Sequence, residues 1–302
     1  MLEKIPKHVR LMEVGPRDGL QNESTIVDTA SKIEFIEGLV DAGCKRVEIT
    51  SFVNPRWIPP LADQLEVAKG VHRKKGVTYA ALVPNMRGYE NARLAKIEEV
   101  SFVLAASQTH NKKNINASTE EAYARYAEVA ARAKADGVAF RAYISTAFGC
   151  PYEGDVPVSE VVKWAKAFHE LGAYEISLGD TIGVGNPKQT IELVQAVSKV
   201  VPLENIALHL HDTRGTALAN IFAALCLGVS SFDSSAGGLG GCPYAPGASG
   251  NVSTEDLLYM LHSMGIKTDI KLESLCQVSL KIEGILGRKL PSKYLAVVRG
   301  AC

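Results

Sequence analysis

The 302 residues carry 33 Lys plus Arg against 33 Asp plus Glu, a formal net charge of zero. That balance offers no basic field for nucleic acid, and no apolar run approaches the ~18–20 residues that a membrane helix needs. The start "MLEKIPKHVR" has no apolar signal core, and Cys44, Cys150, Cys226, Cys242, Cys276 and Cys302 form no C-x-x-C pair. A cytoplasmic chain with free thiols is therefore expected, with neither nucleic acid nor membrane as partner.

Short β-branched runs alternate with helical patterns along the chain. "VRLMEV" (9–14) reads as a first strand, followed by a polar loop. The next helix has Asp28 as cap and Gly43 as stop, with Ile33, Ile36 and Val40 on its apolar face beside Phe35 and Leu39. "RVEIT" (46–50) precedes a helix over 59–76, and "VTYAALV" (77–83) precedes one over 84–98. "VSFVLAAS" (100–107) is a fourth strand; Ser118 and Glu121 then form a capping box for a helix ending at Gly137.

The second half repeats the pattern. "VAFRAYIST" (138–146) leads to a helix over 157–171 stopped by Gly172. "YEISLGD" (174–180) leads to a helix with Asn186 as cap and Pro187 in its first turn. "IALHLHD" (206–212) precedes "TALANIFAALCLG", and "VSSFDSSA" (229–236) precedes a Gly-rich loop and a helix opened by a Ser253/Asp256 box. Eight strand-then-helix units with no linker fit a single (β/α)8 TIM barrel over 1–265, an α/β fold, with 266–302 as a C-terminal helical extension packed on it. A doubly wound sheet would need a Gly-rich phosphate turn after an early strand, and none is present.

In such a barrel the C-terminal strand ends converge on one mouth. Arg17 and Asp18 follow the first strand, Glu48 lies in the second, and Asp180 closes the sixth. His209 and His211 close the seventh, two apart and hence on one face, roughly 7 Å from each other at about 3.3 Å per residue. Cys242 and Asn251 lie in the loop after the eighth strand. The opposite rim shows no comparable set of ionisable residues.

Asp18, His209 and His211 supply one carboxylate and two imidazoles, and Asn251 can add a neutral oxygen. This mixed set suits Mg²⁺ or Mn²⁺. Glu48 is either an acceptor that orients Arg17 or a ligand, or an ordinary inward-facing polar residue. The loop "AGGLGGCPYAPGASGN" (236–251) is either a hinged lid that carries Cys242 over the mouth as an acid or base, or a loop whose cysteine is incidental. "NKKNIN" (111–116) reads as a turn that is solvated or meets phosphates of a long substrate.

These stretches resemble the 3-hydroxy-3-methylglutaryl-CoA (HMG-CoA) lyase family. The resemblance rests on "EVGPRDGLQNE" (13–23), "EITSFV" (48–53), "KKNIN" (112–116), "GCPYEG" (149–154) and "YEISLGDTIGVG" (174–185). It rests further on "HLHDTRGTALAN" (209–220) and above all on "GGLGGCPYAPGASGN" (237–251). It implies a divalent cation on Asp18, His209, His211 and Asn251, with Arg17, Asp18, Glu48, Asp180 and Cys242 at catalytic positions. The implied reaction is retro-Claisen cleavage of an acyl-CoA, (S)-HMG-CoA, to acetoacetate and acetyl-CoA, of the kind used in leucine degradation; apart from the resemblance, the exposed helices and the tail lead us to expect a homodimer. After the fourth strand the family's S-E-x-F-like pattern is replaced by Ser107-Gln108-Thr109-His110. A longer 3-branched substrate such as 3-hydroxy-3-isohexenylglutaryl-CoA is thus an alternative, followed by a 2-oxo acid/acetyl-CoA synthase and a non-enzymatic scaffold.

Overall fold

A computed structural model of the chain describes residues 2–242 and 245–300, and of residues 242 and 245–249 the backbone alone. Eight parallel strands close in sequence order into one barrel: β1 (Arg10–Glu13), β2 (Arg46–Ser51), β3 (Thr78–Leu82), β4 (Glu99–Ala105), β5 (Ala139–Ser145), β6 (Ile176–Asp180), β7 (Ile206–Leu210) and β8 (Ser231–Ser234). The ring closes where β8 pairs with β1, from Arg10↔Ser231 to Glu13↔Ser234. Both the fold class and the strand order match the alternation in the sequence.

The outer layer holds α1 (Thr29–Asp41), α2 (Gln64–Gly70), α3 (Met86–Leu94), α4 (Gln108–Ile115), α5 (Thr119–Ala135), α6 (Val158–Leu171), α7 (Pro187–Val197), α8 (Ala217–Leu227) and α9 (Thr254–Ser263). Beyond the eighth unit come α10 (Leu272–Leu286), which packs on α1, and α11 (Lys293–Gly300), which packs on α9. The expected caps form: Asp28 accepts from Ser31 N, Ser118–Glu121 and Asn186–Gln189 are reciprocal boxes, and Gly172 ends α6 at φ 102°. No helix among the described residues is long and apolar enough to cross a membrane.

Three local expectations are corrected. The helix expected over 59–76 shrinks to α2, because Arg73 donates to Ala95 O (2.7 Å) and Ala68 O (3.1 Å) and draws the basic run out as a strap. "NKKNIN" is not a turn but the end of α4, whose cap is Ser107. Ser253 caps α9, but Asp256 does not complete the box. Its carboxylate accepts from Ser292 Oγ (2.9 Å), Lys293 N (3.0 Å) and Tyr294 N (2.7 Å), and so caps α11 instead.

Strand alternation divides the residues into two cores. Val47 and Ile49, Phe140, Ala142 and Ile144, and Ile206, Leu208 and Leu210 point outward and join the apolar layer under the helices. Inward lie Glu48, Arg141, Tyr143, Ser177, His209 and Asp233, where barrels of this kind usually stack branched apolar side chains. The expectation that the lower rim lacks an ionisable set is also wrong. Arg46 pairs with Glu175 (2.8 Å), and Arg141 pairs with Glu175 (3.0 Å) and Asp233 (2.9 Å). This buried lattice fills the barrel floor, and removing one partner of such a pair costs about 3–5 kcal/mol.

Candidate metal centre at the barrel mouth

After Glu13 the chain makes one π-helical turn, Gly15–Gly19, with Gly19 N donating to Val14 O at 3.2 Å. A Cβ at Gly15 would come within 2.7 Å of Glu13 Oε1, and one at Gly19 within 2.7 Å of Leu239 Cβ, so the turn closes only with glycine at both ends. This wide turn brings Arg17 and Asp18 to the mouth, a placement common for π turns at working sites. Nothing in the spacing of "GPRDG" distinguishes it from a polar loop.

Asp18, in the turn after β1, gathers with His209 near the end of β7 and His211 just beyond it. Each offers one ligand atom, and these atoms lie within 4.8 Å of one another, a group found once among the described residues. His209 Nε2 is 3.8 Å from Asp18 Oδ2, and the two imidazole centroids are 5.4 Å apart. Asn251 is held beside them by a backbone bridge to His211; its Nδ2 donates to Asp18 Oδ2 at 2.8 Å.

The protonation states fit a cation. Burial pushes the Asp18 carboxyl up, but Arg17 and the two imidazoles outweigh it and hold the group at about 2. Burial, reinforced by His209, lowers His211 to about 4, so at neutral pH it presents a lone pair. His211 Nδ1 is buried with no hydrogen-bond partner among the described residues. An ionised carboxylate and two imidazoles with an orphaned ring nitrogen form a donor set that a divalent ion would satisfy.

Arg17 is a charged group next to that set. Its Nε and Nη2 reach Glu48 Oε2 (2.6 and 2.5 Å), and Nη1 reaches Asp18 Oδ1 (2.5 Å). Burial opposes its charge, yet Glu48 and Asp18 hold the guanidinium well above its ordinary pKa. Glu48 is fully buried, so the structure places it as the acceptor that aims Arg17 rather than at the metal group.

One expected residue points away from the mouth, and the side chain of a second is not among the described residues. Asp180 is buried, and its carboxylate accepts from Val184 N and Gly185 N (both 2.9 Å); it shapes the "TIGVG" turn rather than facing the mouth. Cys242 belongs by its backbone to a short ribbon, β9 (Gly241–Cys242) with β10 (Ala245–Ser249), but its side chain lies outside the described residues, as does the whole of Cys302. Gly241 lines the mouth, so the ribbon begins at its edge.

One contributor escaped the sequence reading. Tyr143 stands edge-on to His209 (5.7 Å between centroids), lies under Arg17 (5.7 Å), and donates to Glu48 Oε2 at 3.3 Å. Its inward parity in β5, two residues after Arg141, was the available signal. The mouth opens into a cavity of about 980 Å³ lined in part by Phe52, Trp57, Asn85, Lys113 and Arg125. Of the departing residues, Ser107 caps α4, Gln108 bonds Glu120 (2.8 Å), and Thr109 N bonds Glu153 (2.6 Å), leaving only His110 on the cavity wall.

The HMGL-like family profile matches residues 8–282. The hydroxymethylglutaryl-CoA lyase YngG of Bacillus subtilis is 53% identical over 98% of this chain and 99% of its own. The crystal structure of a Bacillus subtilis HMG-CoA lyase superposes with a TM-score of 0.97 at 53% identity, covering 98% of this chain and 99% of the other. An HMG-CoA lyase from Acinetobacter baumannii, solved with coenzyme A and 3-methylmalate, superposes at 0.91 with 41% identity, covering 95% and 94%.

Proposed function

The chain belongs to the HMGL-like family, and on that ground we propose that it is a carbon–carbon lyase cleaving HMG-CoA to acetoacetate and acetyl-CoA. The observation that carries this reading is the Asp18–His209–His211 group with a buried arginine against it, at the C-terminal mouth of a barrel. Asp18, His209 and His211 hold the cation, Mg²⁺ or Mn²⁺, and Asn251 completes the set. A cation bound there would supply Lewis-acid polarisation of the substrate's hydroxyl oxygen.

The chain's own groups do the rest. Asp18, ionised and held at about 2 by Arg17 and the two imidazoles, is the group placed to accept the hydroxyl proton, which a bound cation would make easier to remove. As the hydroxyl oxygen becomes a ketone, the C–C bond breaks and its electron pair passes into the thioester as an enolate. Arg17, fixed by Glu48 and Tyr143, faces that negative oxygen, a preorganised charge that needs no reorganisation as the bond breaks. Cys242 delivers a proton to the enolate carbon, which gives acetyl-CoA. Asp180 acts at one remove, by shaping the loop after β6.

The acyl-CoA enters through the cavity above the ion site, and a homodimer is the assembly we favour, with exposed Tyr259 of α9 and Val297 of α11 as supporting surface. Cys44, Cys150, Cys226 and Cys276 are all free and buried, which supports a reducing cytoplasmic compartment. An acetoacetate assay on HMG-CoA and on longer 3-alkyl homologues tests the reading. Turnover of the 3-methyl substrate is expected to dominate; release of free CoA from acetyl-CoA plus a 2-oxo acid, without lyase turnover, would overturn it.

A further inference from the structure

Behind His209, on the side away from Asp18, lies a fully buried carboxylate that the chemistry above does not use. His209 of β7 and Asp233 of β8 are register partners on adjacent parallel strands, and both face inward. On its other flank, the register partner of His209 is Gly179, which has no side chain. The ring spans the gap between two carboxylates: Nε2 faces Asp18 Oδ2 at 3.8 Å and Nδ1 faces Asp233 Oδ2 at 3.4 Å.

Asp233 has little freedom. Arg141 Nη2 holds Oδ1 at 2.9 Å and Ser177 Oγ donates to Oδ2 at 2.8 Å, so His209 Nδ1 is the remaining group facing Oδ2. Arg141 is itself pinned by Glu175 (3.0 Å) and donates to Tyr143 Oη (3.0 Å). The carboxylate therefore rests on the buried lattice of the barrel floor, not on a mobile loop. At 3.4 Å the two atoms face each other without a formed hydrogen bond, and His209 Nδ1 is buried with no other hydrogen-bond partner among the described residues; such contacts often tighten once a site is loaded.

Resting on the reading of Asp18, His209 and His211 as ligands, we infer that Asp233 is a positioning residue that fixes the ring orientation and the Nδ1–H tautomer of His209. An imidazole whose Nδ1 carries the proton offers Nε2 as its free lone pair, and in this site Nε2 is the atom directed at Asp18, beside which a cation would be held. A carboxylate on the far nitrogen also makes the ligating one a better donor, and loss of such a partner weakens metal affinity by about 10–100-fold. The same lattice thus serves both halves of the site, through Asp233 to the ligand and through Tyr143 and Glu48 to Arg17.

The test uses the whole chain and Mn²⁺ alone, with free Mn²⁺ followed by electron paramagnetic resonance and ring tautomers by ¹⁵N NMR of histidine-labelled protein. Asp233→Asn should bind Mn²⁺ at least tenfold more weakly while far-UV circular dichroism is retained, and the His209 resonance, assigned by its loss in His209→Gln, should be Nδ1-protonated in the wild type. A loss of less than tenfold in a folded Asp233→Asn protein overturns the inference. Should that variant fail to fold, the wild-type tautomer decides: an Nε2–H His209 overturns it and an Nδ1–H His209 supports it. A wild type that takes up no Mn²⁺ instead overturns the ligand reading beneath it, and is told apart by needing no variant.

Discussion

Replacing Arg17 with Met removes a cation that is 5% exposed and touches both Glu48 and Asp18. Loss of a single preorganised donor to a developing oxyanion lowers kcat by about 10²–10³. Arg17 carries full charge in a buried setting, so a loss of about 10³-fold or more is expected, roughly 4 kcal/mol of transition-state stabilisation. The assay couples acetoacetate formation to NADH oxidation at saturating substrate and Mg²⁺. KM should move little, because the enolate forms only after substrate is bound. Mn²⁺ affinity should not fall, because Arg17 shares the Asp18 carboxylate and competes with a cation for it. Arg17→Lys should recover little: one ammonium cannot hold the three Arg17 contacts that reach Glu48 and Asp18. A kcat within threefold of wild type, or a loss confined to KM, would refute the assignment.

Other outcomes follow from the same contacts. Tyr143→Phe deletes the hydroxyl between Arg141 and Glu48, and should lower kcat about tenfold and stability by about 1 kcal/mol, read from urea melts, since both neighbours keep other partners. Burial raises Glu13 from 4.5 to about 8, so its contribution to stability is full below about pH 4.5 and is lost as pH rises to about 8. Urea midpoints should therefore fall between pH 5 and 8, and Glu13→Gln, which keeps the shape of the neutral acid, should flatten that slope; an unchanged slope would show that Glu13 is not the source. Gly43 lies at φ +112° with Asp269 O where a Cβ would stand. Gly43→Ala should lower the thermal midpoint by several degrees without changing KM.

The barrel was legible because its apolar strand runs and helix caps act locally. Asp28, Ser118 and Asn186 sit where their side chains must cap, and all three do. The mouth was legible for a different reason: His209 and His211 share a strand face, and Asp18 follows a strand that the barrel's closure sets nearby. Asp180 shows the limit of reading a residue's place in a strand without its parity. Ser177 and Gly179 point inward, so Asp180 points away, and its carboxylate goes to two loop amides. Arg46, Glu99 and Glu175 stand at strand beginnings, where charges usually belong to exposed turns, and only the closed ring makes them a buried lattice. Asp233 was missed for a related reason, since "FDSS" reads as a polar strand end until its register partner is known to be His209.

The central claim, an ion seated on Asp18, His209 and His211 that lyase turnover requires, is tested most directly by stripping the protein with a chelator, adding back Mn²⁺, and counting bound ions against acetoacetate formed. The account predicts no acetoacetate from the stripped protein, full recovery at one Mn²⁺ per chain, and neither tight binding nor recovery in His211→Ala. Undiminished turnover by the stripped protein, or a His211→Ala protein that binds Mn²⁺ as tightly as wild type, would contradict it.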